Sequence, residues 1–369
     1  MSSFYFPRTR QRWSVIALLG VLALLPVLAG CTSSGTSVAA GCKKIGILMP
    51  SKTTLRWEAH DHPLLVQYIT QALPGAQIDY YNAADTAVTQ QTQADDALNN
   101  GDCMLVVAAV DSTLDAPIVR KANAKHVPVI AYDRLIQDNN LAFYVSFDGV
   151  QVGELQGQYI VDHHRGGDNV MMINGSQQDN NALLFQKGVL NKILPLVESN
   201  ELHLLYSTFT PDWSPTLAQA EAQDALALAH NDIQIAYVAN DDMANTVIAQ
   251  LKTLGLNGSV IVTGQDATVT AIRNILLGDQ SMTVYKAISK EAKATAQLVA
   301  ALSNGGNTGA LITGQTKNQF GTNIPSILET AVTVTRSNIR ETVLADGFVT
   351  QDEVCSGLPA GLDTGGVCS

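Results

Sequence analysis

The chain is 369 residues long, more than one ordinary hydrophobic core organises, so two domains are the default expectation. Hydrophobic residues make up 46% and charged residues 15%, a globular balance, and the formal net charge of −11 comes with no cluster of Lys and Arg in the body of the chain. This argues against nucleic acid as a partner, because a phosphate backbone is held by grouped positive side chains.

The first thirty residues read as an export signal. Arg8, Arg10 and Arg12 form a basic flank, Val15 to Gly30 is apolar but short for a membrane span, and the run ends in "LAGC" at Cys31. Small residues directly before a Cys have the form of a bacterial lipoprotein cleavage signal; a plain signal peptide or a membrane anchor would share the basic flank and the apolar run. The expectation is a signal over 1–30, a lipid on Cys31 that holds the protein to the outer face of the cell membrane, and a flexible tether over 31–42 rich in Ser, Gly and Thr.

Beyond the tether, short apolar runs alternate with helical patterns. "KIGILMP" is followed by "HPLLVQYITQAL", "AQIDYYNA" by "AVTQQTQADDALNNG", "CMLVVAA" by "APIVRKANAKH", and then come "VPVIAYD" and "FYVSFD". The rhythm restarts with "VGELQGQYIVDHH", "NVMMING", "NALLFQKGVLNKIL", "LHLLYSTF", "TLAQAEAQDALALAH", "IQIAYVAND", "ANTVIAQLKTLGL", "SVIVTGQD", "VTAIRNILLG" and "MTVYKAI". Such βαβα order predicts an α/β fold of parallel sheets flanked by helices, and its repetition predicts two similar Rossmann-like lobes with a cleft between them.

Four cysteines follow Cys31. Cys42 and Cys103 each stand just before an apolar strand, so they meet at one sheet edge if those strands are parallel neighbours. Cys355 and Cys368 lie in a Gly-rich tail and can close a small loop. An even number of Cys in an exported chain suggests these two disulfides, with four free thiols as the alternative; without C-x-x-C spacing, zinc is disfavoured.

No G-x-G-x-x-G opens a helix after the first strand, and neither G-x-x-x-x-G-K-[ST] nor G-x-S-x-G occurs, so nothing supports a nucleotide cofactor or a serine hydrolase. Ligands of open parallel sheets bind beyond the carboxyl ends of the strands. The residues found there are Arg56 and Trp57, Asp133 and Arg134, Asn180 and Asn181, Trp213, Asn240 and Asp241, Asp266, and Lys286. Singly, Asp241 reads as a helix N-cap, Trp57 and Trp213 as core, and Lys286 as surface. Together they offer carboxylates, amides, cations and aromatic faces, which suits a ligand rich in hydroxyls with apolar C–H faces. Asp133 and Arg134 are expected to brace each other inside that cleft. The set holds no nucleophile and no metal-ligand cluster, and Arg134 and Lys286 keep nearby acids ionised, which argues against glycoside hydrolysis.

At these residues the chain resembles the periplasmic sugar-binding proteins of ABC importers, within them the D-xylose-binding branch. The matching stretches are "RWEAHD", "AYDRLI", "FYVSFDGVQVGELQGQ", "GSQQDNNALLFQKG", "VANDDMA", "GQDA", "MTVYKAI" and "SNIRETVLADGF", in order from Lys43 to Phe348. The resemblance implies a type I periplasmic binding fold with a three-segment hinge: 43–147 with 286–325 as one lobe, 148–285 with 326–350 as the other, and 351–369 as a tail. It implies one monosaccharide, D-xylose or a related aldopentose, gripped by Arg56, Trp57, Asp133 and Arg134 from the first lobe. Asn180 or Asn181, Trp213, Asn240 and Asp266 serve from the second, with Lys286 at a crossover. It further implies a monomer without cofactor or catalysis, presenting both lobes to an ABC permease in the membrane. A sensory receptor handing its state to a membrane kinase or chemoreceptor would share fold and cleft. "PSKTTL" departs from the family pattern in lacking acidic residues after the first strand.

Overall fold

The computed structural model describes residues 41–368. The expected signal over 1–30 and the lipidation of Cys31 lie outside the described residues. The chain runs through β1 (Lys44–Met49), a wide helical turn (Trp57–Asp61) leading into α1 (His62–Ala72), β2 (Gln77–Asn82), α2 (Ala87–Asn99), β3 (Met104–Val107), α3 (Ala116–Ala124), β4 (Val129–Tyr132) and β5 (Phe143–Phe147). It continues through α4 (Gly149–His163), β6 (Asp168–Asn174), α5 (Asn180–Glu198), β7 (Leu202–Phe209), α6 (Pro215–Leu228), β8 (Ile235–Val238), α7 (Asp241–Thr253), β9 (Ile261–Val262), α8 (Val269–Leu277) and β10 (Thr283–Tyr285). Last come α9 (Ile288–Ser303), β11 (Gly314–Lys317), β12 (Asn323–Glu329), β13 (Val332–Val334) and α10 (Gln351–Cys355).

The strands assemble into one sheet for each lobe. The first has the order β11-β12-β5-β4-β3-β1-β2, parallel apart from the β11–β12 hairpin. The second has the order β7-β6-β8-β9 and is parallel throughout, with β10 and β13 forming a separate antiparallel pair. Strands β3, β4, β5 and β8 are buried at every position, as parallel strands covered on both faces must be. Successive residues serve opposite faces. Ile45, Ile47, Met104 and Ile130 pack with Leu65 and Ile69 of α1 and Leu298 and Val299 of α9. Leu48, Leu105, Val107 and Val129 pack instead with Leu98 of α2 and Ile118 and Val119 of α3. The second lobe has its own core, from Met171, Ile173, Tyr237 and Val238 to Phe185, Val189 and Val247.

Among the described residues the chain passes between the lobes three times, after β5, β10 and β12. β12 pairs with β5 from Ser326 to Glu329, so the division drawn at 325/326 would cut a strand of the first sheet. The hydrogen-bonded ladder carries the first lobe through Glu329. The alternation in sequence marked neither α9 nor the β11–β12 hairpin, which lie beyond "MTVYKAI".

Both disulfides form as expected, Cys42–Cys103 and Cys355–Cys368. β1 and β3 are parallel neighbours with Ile45 opposite Met104, which brings the residues before each strand together. Cys42 is therefore pinned and buried, and the tether expected over 31–42 ends before it. The Gly-rich tail is likewise part of the packed second lobe. Val354 and Val367 are buried against Ile272, Leu276 and Val343. Among the described residues no helix is long and apolar enough to cross a membrane.

The Cys42–Cys103 bridge closes a segment with a sequence separation of 61, and restricting so long a loop in the unfolded chain is worth about 2–4 kcal/mol. A Cys42→Ser/Cys103→Ser variant is expected to lose stability of that order in urea denaturation. Coincident unfolding curves for variant and wild type would refute it.

Candidate functional site

The carboxyl ends of the two sets of strands face one another across a narrow cleft. Its walls include Arg56, Trp57, Asp133 and Arg134 from the first lobe, Asn181, Phe185, Trp213, Asn240 and Asp266 from the second, and Lys286 from the crossover after β10. Thr54, Asp179 and Gln265 complete the lining.

Asp133 is the centre of the arrangement. Its backbone φ of 57° lies in the left-handed region, where a non-glycine residue costs of order 1–3 kcal/mol. Three donors converge on its carbonyl oxygen and hold it there: Tyr144 Oη at 2.9 Å, Ser146 Oγ at 2.7 Å and Asn181 Nδ2 at 3.1 Å. The carboxylate is thereby turned from the end of β4 into the cleft. Arg56 Nη1 donates to Oδ2 at 2.9 Å, Lys286 Nζ lies 3.4 Å from the same oxygen, and Asn181 Nδ2 donates to Oδ1 at 3.0 Å. Burial alone would raise the Asp133 pKa, but the charges of Arg56, Lys286 and Arg134 outweigh it and hold the carboxyl at about 2.

Arg56 is itself positioned from behind. Asp61 takes both Nε (2.8 Å) and Nη2 (2.7 Å), Glu291 approaches Nη2 at 3.3 Å, and Tyr132 Oη donates to Asp61 at 2.6 Å. This two-bond grip fixes the plane of the guanidinium. Arg134 does not pair with Asp133. Its Nε lies 2.8 Å from Asp179 Oδ2, and Nη1 donates to the Ala109 carbonyl at 3.2 Å. The expectation that these sequence neighbours brace each other is thus corrected. The left-handed turn at Asp133 directs its carboxylate toward Arg56 and Lys286, while Arg134 reaches across to the other lobe.

The aromatic residues are held as closely. Arg56 and Arg134 place their guanidinium carbons 4.6 Å and 5.2 Å from the centre of the Trp57 ring. Trp213 donates Nε1 to Asp179 at 3.2 Å and meets Phe185 edge-on at 6.3 Å. Gly175 makes room for it, since a Cβ there would stand 2.1 Å from the indole. Asn240 caps α7, accepting from Met243 N at 3.0 Å. Asp241, read from the sequence as the cap, is one residue inside the helix. Its buried carboxylate instead ties Thr268 N, Gln280 Nε2 and Thr283 Oγ1 together. Asp266, with φ at 102°, presents Oδ1 to Lys286 at 3.4 Å and to Arg56 at 3.6 Å.

Asn181 lines the cleft and Asn180 does not: Asn180 Oδ1 accepts from Gln137 Nε2 at 3.1 Å. The other residues singled out from the sequence, Asp241 apart, are brought together in the lining. Asp61, Glu291, Asp179, Gln265, Thr54 and Phe185 were missed. Phe185 stands four residues after Asn181 on α5, a same-face spacing that marks it. Asp61 and Glu291 carry no such signal, because only packing places them behind Arg56.

Several buried polar atoms in this lining have no hydrogen-bond partner in the protein: Trp57 Nε1, Asn181 Oδ1, Gln265 Oε1 and Asp266 Oδ1. Native interiors leave few such atoms without purpose. The cluster has five carboxylates (Asp61, Asp133, Asp179, Asp266 and Glu291) against Arg56, Arg134 and Lys286. Burial pushes the pKa of Asp179 up and that of Glu291 well up, against the opposing pull of Arg134 and of Arg56 and Lys286. The cleft offers both donors and acceptors. Among the described residues no group of side chains is arranged to hold a metal ion.

Residues 45–307 match the family model described as a periplasmic binding protein domain. The chain is 34% identical to the D-xylose-binding periplasmic protein of Escherichia coli K12, over 86% of this chain and 95% of the relative. It is 32% identical to the D-xylose-binding periplasmic protein of Haemophilus influenzae, over 90% and 98% respectively. An ABC transporter solute-binding protein from Clostridium phytofermentans, solved with bound β-D-glucose, has a TM-score of 0.77 at 28% identity, covering 85% of this chain and 100% of that one.

Because the Asp133 pKa is depressed, its ionised form stabilises the fold above the ordinary carboxylate value, and that contribution is lost as pH falls from there toward about 2. Urea denaturation from about pH 5 down to about pH 2 should show wild type losing on the order of 2 kcal/mol that Asp133→Asn does not lose. Parallel stability curves for the two proteins would contradict the assignment.

Proposed function

The chain belongs to the periplasmic binding protein family, a family of binding proteins and not of enzymes, and from that premise we propose that it is the receptor of an ABC importer for one monosaccharide, D-xylose or a related aldopentose. The observation that carries this reading is the set of donors and acceptors without a hydrogen-bond partner that converge on a small cleft between the two lobes. Ring hydroxyls donate to Asn181, Gln265 and Asp266 and accept from Trp57, while the C–H face of a sugar ring packs on the indole of Trp213. The identity to D-xylose-binding proteins supports the pentose, and the bound glucose of the Clostridium protein makes hexoses the comparison to run.

Ligand that touches both lobes draws them shut, and the closed pair of lobes is what a membrane permease meets. The basic flank, the apolar run and "LAGC" support processing before Cys31 and attachment of a monomer to the outer face of the cell membrane through lipid on that residue.

Titration calorimetry with D-xylose, L-arabinose, D-ribose and D-glucose tests the reading. Tight binding of an aldopentose without turnover is expected; binding only to amino acids or nucleosides would sink it. Asp133→Asn should weaken sugar binding by at least about a hundredfold, near 2.7 kcal/mol, because Arg56 and Lys286 are left short of a counter-charge in the closed cleft. Trp57→Ala and Trp213→Ala should each cost roughly 1–3 kcal/mol of binding. A Trp variant that binds normally but melts early would assign that ring to the core instead.

A further inference from the structure

The two lobes touch outside the cleft as well, through groups that face no ligand. After β1, Leu55 N donates across to Asp242 Oδ2 at 3.2 Å, and Asp242 sits in the first turn of α7 at 8% exposure. After β3 and β4, a second contact forms. Ser112 N donates to the Gln178 carbonyl at 2.9 Å, Asn180 N donates to Ser112 Oγ at 3.0 Å, and Gln137 Nε2 donates to Asn180 Oδ1 at 3.1 Å. Gln137 is not free to swing, because its Oε1 accepts from Gln319 N at 2.9 Å, beyond the β11 strand. Its amide N–H is therefore held ready to cross between the lobes.

Neither Asp242 nor Asn180 lines the cleft. We infer that these two residues set the strength of ligand binding without touching ligand, by holding the closed arrangement of the lobes. The inference rests on the proposed receptor function. A bond made only in the closed form multiplies the closed population, and the apparent affinity of any ligand that needs this form rises by the same factor. A residue in the cleft changes affinity differently for different sugars, whereas a residue at these contacts changes it equally for all. The bonds also resist opening, so their loss appears in the dissociation rate. One hydrogen bond of ordinary net worth corresponds to about a three- to tenfold change.

The test uses the mature chain as wild type, Asn180→Ala, Asp242→Ala, the double variant and Asp242→Asn. Affinities for D-xylose and D-glucose come from calorimetry, dissociation rates from tryptophan fluorescence, and melting temperatures are taken without ligand. Each alanine variant is expected to lose about three- to tenfold in affinity, by one factor for both sugars, through faster dissociation and with the unliganded melting temperature nearly unmoved. The double variant should lose the product of the single factors, because the contacts share no residue. Asp242→Asn keeps an acceptor for Leu55 N and should bind like wild type. Unchanged affinities, an altered xylose-to-glucose ratio, or a loss matched by an equal fall in unliganded stability would each overturn the inference. Distances between one spin label on each lobe read closure without any sugar. A closed population is expected in unliganded wild type and should shrink in the alanine variants. Its absence, or its persistence in the variants, would overturn the inference, while failure of wild type to bind any sugar overturns the receptor reading alone.

Discussion

A buried carboxylate must be met by cations, and meeting that demand at Asp133 organises the cleft. Arg56 comes from the loop after β1, Lys286 from the crossover after β10, and Asn181 from the first turn of α5. Two of these reach Asp133 from outside its own lobe's sheet, so the charge that shapes the cleft also joins the lobes. The strain at Asp133 has the same logic. Three hydrogen bonds to one carbonyl oxygen hold a backbone conformation that local preference opposes, and the result is a carboxylate aimed into the cleft instead of along the strand.

Behind this centre lies a set of residues that only position others. Asp61, Tyr132 and Glu291 hold Arg56, Asp179 holds Arg134 and Trp213, and Gly175 leaves space for the indole. Groups so restrained lose little freedom when a ligand arrives, which favours affinity. Burial disfavours the charged forms of Asp179 and Glu291, and the neighbouring cations oppose it.

The fold serves this site by geometry. Parallel strands direct every β-to-α connection to the same end of a sheet, so two such sheets facing each other bring residues from many loops and helix starts to one small volume. The disulfide at Cys42 and Cys103 sits at the other end of β1 and β3, where it stiffens the sheet without entering the cleft.

Much of this was legible in the sequence. Short apolar runs alternating with helical patterns specify parallel strands covered on both faces, and residues following those runs fall at the cleft because strand direction is fixed by connectivity. Arg56, Trp57, Asp133, Arg134, Asn181, Trp213, Asn240, Asp266 and Lys286 were found that way, and the two Cys pairs followed from their positions beside strands. The sequence could not say which charge meets which. Adjacent Asp133 and Arg134 diverge because a left-handed residue turns one side chain away from the other, and that backbone angle is set by donors from β5 and α5. Asn180 and Asn181 differ by one position, about 100° of rotation on a helix, so only the docking of α5 decides that Asn181 faces the cleft and Asn180 faces Gln137. Asp61 and Glu291 sit far apart in the chain, and nothing local distinguishes them from other acids. Sequence thus determined the elements, their order and the chemistry available at strand ends; tertiary structure decided the partners, because long-range packing chooses among contacts that local patterning leaves equal.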